Sequence, residues 1–141
     1  MNHLDSTNDY VEFYLTKLKN RDFDSAFHSL TEVGHSVIPK LIDAFRSETA
    51  PDIRAELVRI IWNHRQPETV EFLEEALRDS HPEVWKCALD GLVTLATPSA
   101  LQTLKTALTR TFANKKDAAC FRRWIEEAVM QVAEQIANDA S

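Results

Sequence analysis

Residues 51–61 read PDIRAELVRII and residues 82–92 read PEVWKCALDGL. Each stretch opens on a proline followed by an acid. Apolar side chains then return at three- and four-residue intervals: Ile53, Leu57, Val58, Ile60 and Ile61 in the first, Val84, Cys87, Ala88 and Leu92 in the second. That spacing gathers the apolar groups on one face of a helix. Proline has no N–H to lose in a first turn, where that group has no intrahelical partner anyway. Pro82 follows Pro51 by 31 positions, so the two stretches predict equivalent helices in a repeat.

The period extends outward. The same offset links Pro67 to Pro98, Leu73 to Leu104, Ala76 to Ala107 and Leu77 to Leu108. Upstream, Ile38, Leu41, Ala44 and Phe45 match Val70, Leu73, Ala76 and Leu77 at an offset of 32. The extra residue falls in the 47–50 connection, where an insertion costs little. Helices are expected over about 8–19, 22–33, 36–46, 51–63, 67–78, 82–95, 98–110 and 115–138, in antiparallel pairs because the connections are short. Ser80, Thr97 and Gln66 stand where helix caps are expected, and Gly34 where a helix should close. The chain of 141 residues holds two glycines, Gly34 and Gly91, too few for a sheet built on tight hairpins. The fold class is all-α.

The run Pro51-Asp52-Ile53-Arg54-Ala55 with Ile60 is followed by Pro67-Glu68-Thr69-Val70, Leu73, Ala76, Leu77 and Arg78-Asp79. Pro82-Glu83-Val84 and Pro98 to Leu108 then repeat it. The pattern resembles HEAT-like repeats, including the short variant of phycobilin lyases. The resemblance covers residues 36–110 well and the flanks loosely. It implies a right-handed α-α superhelix, a solenoid of about eight antiparallel helices, and a role in holding partners rather than in catalysis. One domain over 1–141 is expected, with residues 8–33 as the N-terminal capping helix and first-unit helix and 115–138 as the C-terminal cap. Val11, Tyr14, Leu15 and Leu18 would turn inward at one end. Phe121, Ile125, Ala128, Val129, Val132 and Ile136 would do so at the other. The chain departs from the repeat pattern where Trp85 takes the slot of Arg54.

The first nine residues are polar, without a basic start or apolar core, so no secretory leader is expected. No apolar run approaches the roughly 20 residues of a membrane-spanning helix. The expected location is the cytoplasm, with Cys87 and Cys120 read as buried thiols and a disulfide between stacked helices as the alternative.

Catalytic patterns are missing from the sequence. His28 and His35 bracket Gly34, which breaks the face they would share, and His64 and His81 sit at helix ends in different units. These read as surface or capping histidines, and no Cys/His spacing suits zinc. Glu71, Glu74 and Glu75 share a helix face, but general acid–base work needs a pocket that raises one pKa. Two glycines cannot make a phosphate-binding loop. No enzyme, metal or cofactor is expected.

Charge placement carries the functional reading. The whole chain has a formal charge of −6. Residues 66–90 hold seven acids against Arg78 and Lys86, whereas residues 104–123 hold six bases against Asp117. An acidic ridge of this kind suits a protein partner with a basic surface. If the second helices of successive units line the concave side, the contacts are Lys40, Asp43, Glu71, Glu74, Glu75, Gln102 and Lys105. Trp85, expected near the surface beside Lys86, is an anchor for the same partner. Trp62 aligns with Val93 and reads as core, while Trp124 reads as half-buried. The protein is expected to be a monomer or weak homo-oligomer that acts as an adaptor, one concrete form being an immunity protein that inhibits a toxin. Two alternatives remain: nucleic-acid binding through Lys115, Arg122 and Arg123, as in DNA-repair HEAT-like proteins, and a chromophore-lyase-like subunit, which the resemblance suggests.

Overall fold

The computed structural model describes residues 3–112 and 114–140. The described residues form eight α-helices: α1 (His3–Lys19), α2 (Phe23–Glu32), α3 (Ile38–Ser47), α4 (Pro51–Asn63), α5 (Val70–Leu77), α6 (Pro82–Leu95), α7 (Pro98–Ala107) and α8 (Lys115–Ala140). Single 3₁₀ turns, His35–Val37 and Pro67–Thr69, lead into α3 and α5. The fold is an all-α, HEAT-like solenoid. α1 starts earlier than the sequence pattern suggests, because its first turns are polar and carry no apolar period.

All five prolines of the chain lie in the first turn of a helix or of the 3₁₀ turn before one. The Thr97 hydroxyl accepts the Ala100 N–H at 3.0 Å, the expected N-cap. Ser80 and Gln66 do not cap with their side chains. Before α6, Asp79 Oδ1 accepts the His81 N–H at 2.9 Å, while Gln66 turns its amide to the His64 carbonyl. Gly34, at φ 109°, follows the end of α2 in a conformation that a β-carbon would strain. Arg21, at φ 64°, ends α1, with the Asp22 N–H reaching back to the Lys17 carbonyl.

Helices α2, α4, α6 and α8 pack successively in one row, with α4 and α6 the most intimate pair. Gly91 explains that intimacy. A β-carbon there would stand 2.8 Å from the Trp62 Cβ, so only glycine lets the α6 backbone approach α4 this closely. The other row is α1, α3, α5 and α7. Phe45 of α3 meets Phe72 of α5 edge-on at 5.1 Å, and α5 packs on α7. The core between the rows includes Leu30, Leu41, Leu57, Ile60, Ile61, Leu73, Leu92, Leu104 and Ile125, each withdrawn from water. Burying side chains of this size contributes roughly 1.5–3 kcal/mol each. At the ends, Val11, Leu15 and Leu18 of α1 and Phe121, Ile125, Ala128 and Val132 of α8 face inward, with Tyr14, Val129 and Ile136 partly buried.

Two arginines close helix ends across units. Arg54 donates to the carbonyls of Phe45 and Glu48, both at 2.9 Å, and pairs with Asp79 at 2.6 Å while lying over the Phe45 ring. Trp85 holds the corresponding slot in the next unit, so no arginine there can do the same for α5. Arg110, beyond α7, supplies the guanidinium instead. It donates to Leu77 O at 2.6 Å and Asp79 O at 3.1 Å and lies against Phe112 and Phe121.

Three expectations are corrected by this packing. Trp85 is not at the surface: it is 3% exposed, because α8 covers it with the rings of Phe121 (5.0 Å) and Trp124 (6.3 Å). Cys120 is exposed on α8 rather than buried, whereas Cys87 is half-buried, and both are free thiols. His64 is a buried residue rather than a surface cap, since the loop carrying it folds against α2.

Candidate protein-binding face

Seven of the eight residues expected at the binding face rise from α3, α5 and α7 as exposed or partly exposed groups, and they fall in one row. Lys40 and Asp43 come from α3, Glu71 and Glu74 from α5, and Gln102 and Lys105 from α7. Glu75 joins them from α5. Trp85 belongs to the other row and is buried, so it does not share this face.

Ion pairing divides the acids of that face. Arg46 of α3 grips Glu75 with two hydrogen bonds, Nη2 to Oε1 at 2.8 Å and Nε to Oε2 at 3.1 Å, tying α3 to α5. The hydrogen bond from Arg46 holds the Glu75 carboxyl below its ordinary range. Glu74 pairs with Arg78 one turn along α5 at 2.6 Å. Lys40 is spoken for by Glu12 of α1 at 2.8 Å and by the Asn8 side chain. Such exposed pairs are screened by water and contribute little to stability, so they orient the face more than they stabilise it. Asp43 and Glu71 make no ion pair among the described residues and stand open to solvent. The ridge is therefore less acidic than its sequence.

Two grooves flank these helices. One, of about 570 Å³, lies between α1 and α3 and is bordered by Glu12, Lys19, Lys40, Asp43 and Glu48. The other, of about 280 Å³, lies beside α5 and α7 and is floored by Leu77, Ala107 and Phe121 with Arg110 at its side. It is the more apolar of the two.

The basic segment is partly committed to structure. Arg110 is consumed by backbone carbonyls, and Arg122 lies 3.4 Å from Leu108 O and 4.0 Å from Glu126. Lys115 and Arg123 remain exposed.

A histidine pair lies outside anything the sequence pattern reveals. His35 and His64 bring their Nδ1 atoms to 3.1 Å. His64 Nε2 is 2.9 Å from Leu30 O, which only accepts, so Nε2 carries the proton and Nδ1 is bare. His35 Nδ1–H then donates to it, and His35 Nε2 accepts from the Gln66 amide at 3.1 Å. Burial, then the proximity of His35, lowers the His64 pKa, with the Leu30 bond opposing. Nothing in a local window links these residues. Among the described residues, no group of three or more His, Cys, Asp or Glu side chains could hold a metal ion. No described helix is long and apolar enough to cross a membrane.

No curated protein and no solved structure gives a significant match to the chain. The sequence profile of HEAT repeats matches residues 38–121, from the start of α3 to the second turn of α8. That span takes in both cross-unit arginines and most of the candidate face, and it is more than half of the chain: the protein belongs to the HEAT-repeat family.

Proposed function

We propose that the protein is a non-catalytic scaffold that holds a protein partner on its α3–α5–α7 face, the partner presenting basic groups. HEAT repeats generally mediate protein–protein interaction. The observation that carries the reading is the combination of free and tied acids on one row. Asp43 and Glu71 make no ion pair among the described residues, while the Arg46–Glu75 bridge holds their helices in register. A face already in place loses little entropy on binding, and open carboxylates steer a basic partner toward it. Gln102 and Lys105 on α7 border the acids and set the register of the partner. A finer form of this reading is an immunity protein that blocks a basic toxin in a one-to-one complex.

Charge reversal tests it. The native chain and the Glu71→Lys/Glu74→Lys variant are immobilised and compared for retained proteins at low salt. A basic protein held by the native chain, released by salt and lost with the variant supports the reading. A partner held equally by both chains ends it.

A further inference from the structure

The other row of helices carries a separate groove. Between α6 and α8 lies an opening of about 550 Å³ whose walls include Trp62 of α4, Asp90 and Val93 of α6, and Trp124, Glu127 and Gln131 of α8. Trp124 is one of the few large apolar side chains that α8 leaves exposed. The groove therefore combines two indoles with two carboxylates.

Its acids differ from those of α5. Glu74 and Glu75 have arginine partners, whereas Asp90 and Glu127 make no ion pair among the described residues. The Asp90 side chain reaches solvent, yet the groove strips enough water from it to raise its carboxyl pKa. The neighbouring Cys87 thiol is pushed up to about 11, first by burial and then by Asp90 and Glu56, with Arg59 opposing. An indole face attracts a cation through its quadrupole. The chain already shows that chemistry at this place, since Lys86 Nζ lies 4.7 Å from the Trp124 ring centre.

We infer that this groove receives an arginine side chain from a basic, extended segment of a protein partner. The guanidinium stacks on indole, and its fork of N–H donors meets Asp90 and Glu127. Arginine suits the groove better than lysine because a planar, weakly hydrated cation can stack and hydrogen-bond at once. The site stands on the opposite row from the face discussed above and does not rest on it.

The test uses the full chain and a short acetylated, amidated peptide, Gly-Gly-Arg-Arg-Gly-Gly, with NMR observation of the three indole N–H signals. Saturable shifts at Trp62 and Trp124, and a loss of affinity of at least tenfold in Asp90→Asn/Glu127→Gln, are expected. Glu71→Gln/Glu74→Gln should bind within twofold of the native chain, which separates this groove from the α5 face. Thermal melting of the Asp90→Asn/Glu127→Gln chain should match the native, so that lost binding is not lost folding. Equal loss in both double variants, equal binding of a Glu-Glu or Leu-Leu peptide, or no saturable shift overturns the proposal. Self-association of the chain at NMR concentration that itself moves the Trp62 and Trp124 signals also overturns it, since a second copy then fills the groove.

Discussion

Arg110 donates to the Leu77 carbonyl at 2.6 Å and so does for α5 what Arg54 does for α3 at the Phe45 carbonyl. The two carbonyls occupy matching places one repeat apart, but the two arginines do not. Trp85 stands where a second Arg54 would be, and the guanidinium arrives instead from the far side of α7.

Arg110→Ala should therefore lower stability by about 2 kcal/mol, since it removes charge-assisted hydrogen bonds from two carbonyls at a helix end. Arg110→Lys should recover less than half of that loss, because a single ammonium cannot span the carbonyls of Leu77 and Asp79 together. Urea denaturation of the three chains measures both effects.

Burial decides which ion pairs matter. The side chains of Arg54 and Asp79 are 20% and 8% exposed, those of Arg46 and Glu75 57% and 41%. Burial alone would raise the Asp79 carboxyl, but the His81 N–H and Arg54 outweigh it and leave the pKa lowered. Double-mutant cycles to alanine should give a coupling above about 1 kcal/mol for Arg54–Asp79 and a clearly smaller one for Arg46–Glu75. Equal couplings would contradict the burial argument.

Gly91→Ala is expected to destabilise the protein, against the usual gain of about 1 kcal/mol for replacing glycine inside a helix. The added methyl would sit 2.8 Å from both Cβ and Cγ of Trp62, and neither is the far end of a flexible chain. Overpacking of this kind costs about 1–3 kcal/mol. A higher urea midpoint for the alanine variant would mean that α4 and α6 can part at little cost.

Buried His64 makes stability pH-dependent, and linkage gives the sign. Its folded pKa lies below the ordinary value of 6.5, so the unfolded chain binds protons more readily below that pH. Its contribution is complete above pH 6.5 and is lost as the pH falls toward the folded pKa. Protonation also sets a second N–H against His35, where the neutral pair shares one. Thermal melts between pH 7.5 and 5.5 should fall more steeply for the native chain than for His64→Gln, whose amide can still donate to Leu30 O. Glu56 and Asp90, with carboxyls raised by burial, act in the opposite sense at lower pH and are common to both chains.

The candidate face was partly legible in the sequence. Glu71, Glu74 and Glu75 follow from helical spacing, because residues three and four apart share a face whatever surrounds them. Arg46, which neutralises Glu75, is 29 residues distant, and no local pattern points to it. Trp62 and Val93 align in the repeat and do line one groove together, yet the alignment gave no hint of Trp124 closing it from α8.

By itself the sequence determined the helix order, the pairing of helices and the family. These depend on apolar spacing, on prolines at helix starts and on a repeat length, all of which act over a few turns of chain. The tertiary structure alone decided which charges are free, which tryptophan is covered and where a histidine is buried. The physical reason is range. The desolvation of Trp85 and His64, and the pairing of Glu75 and Asp79, come from side chains delivered by other helices and loops. A one-dimensional period records that those elements exist, but not which atoms they bring within reach of one another.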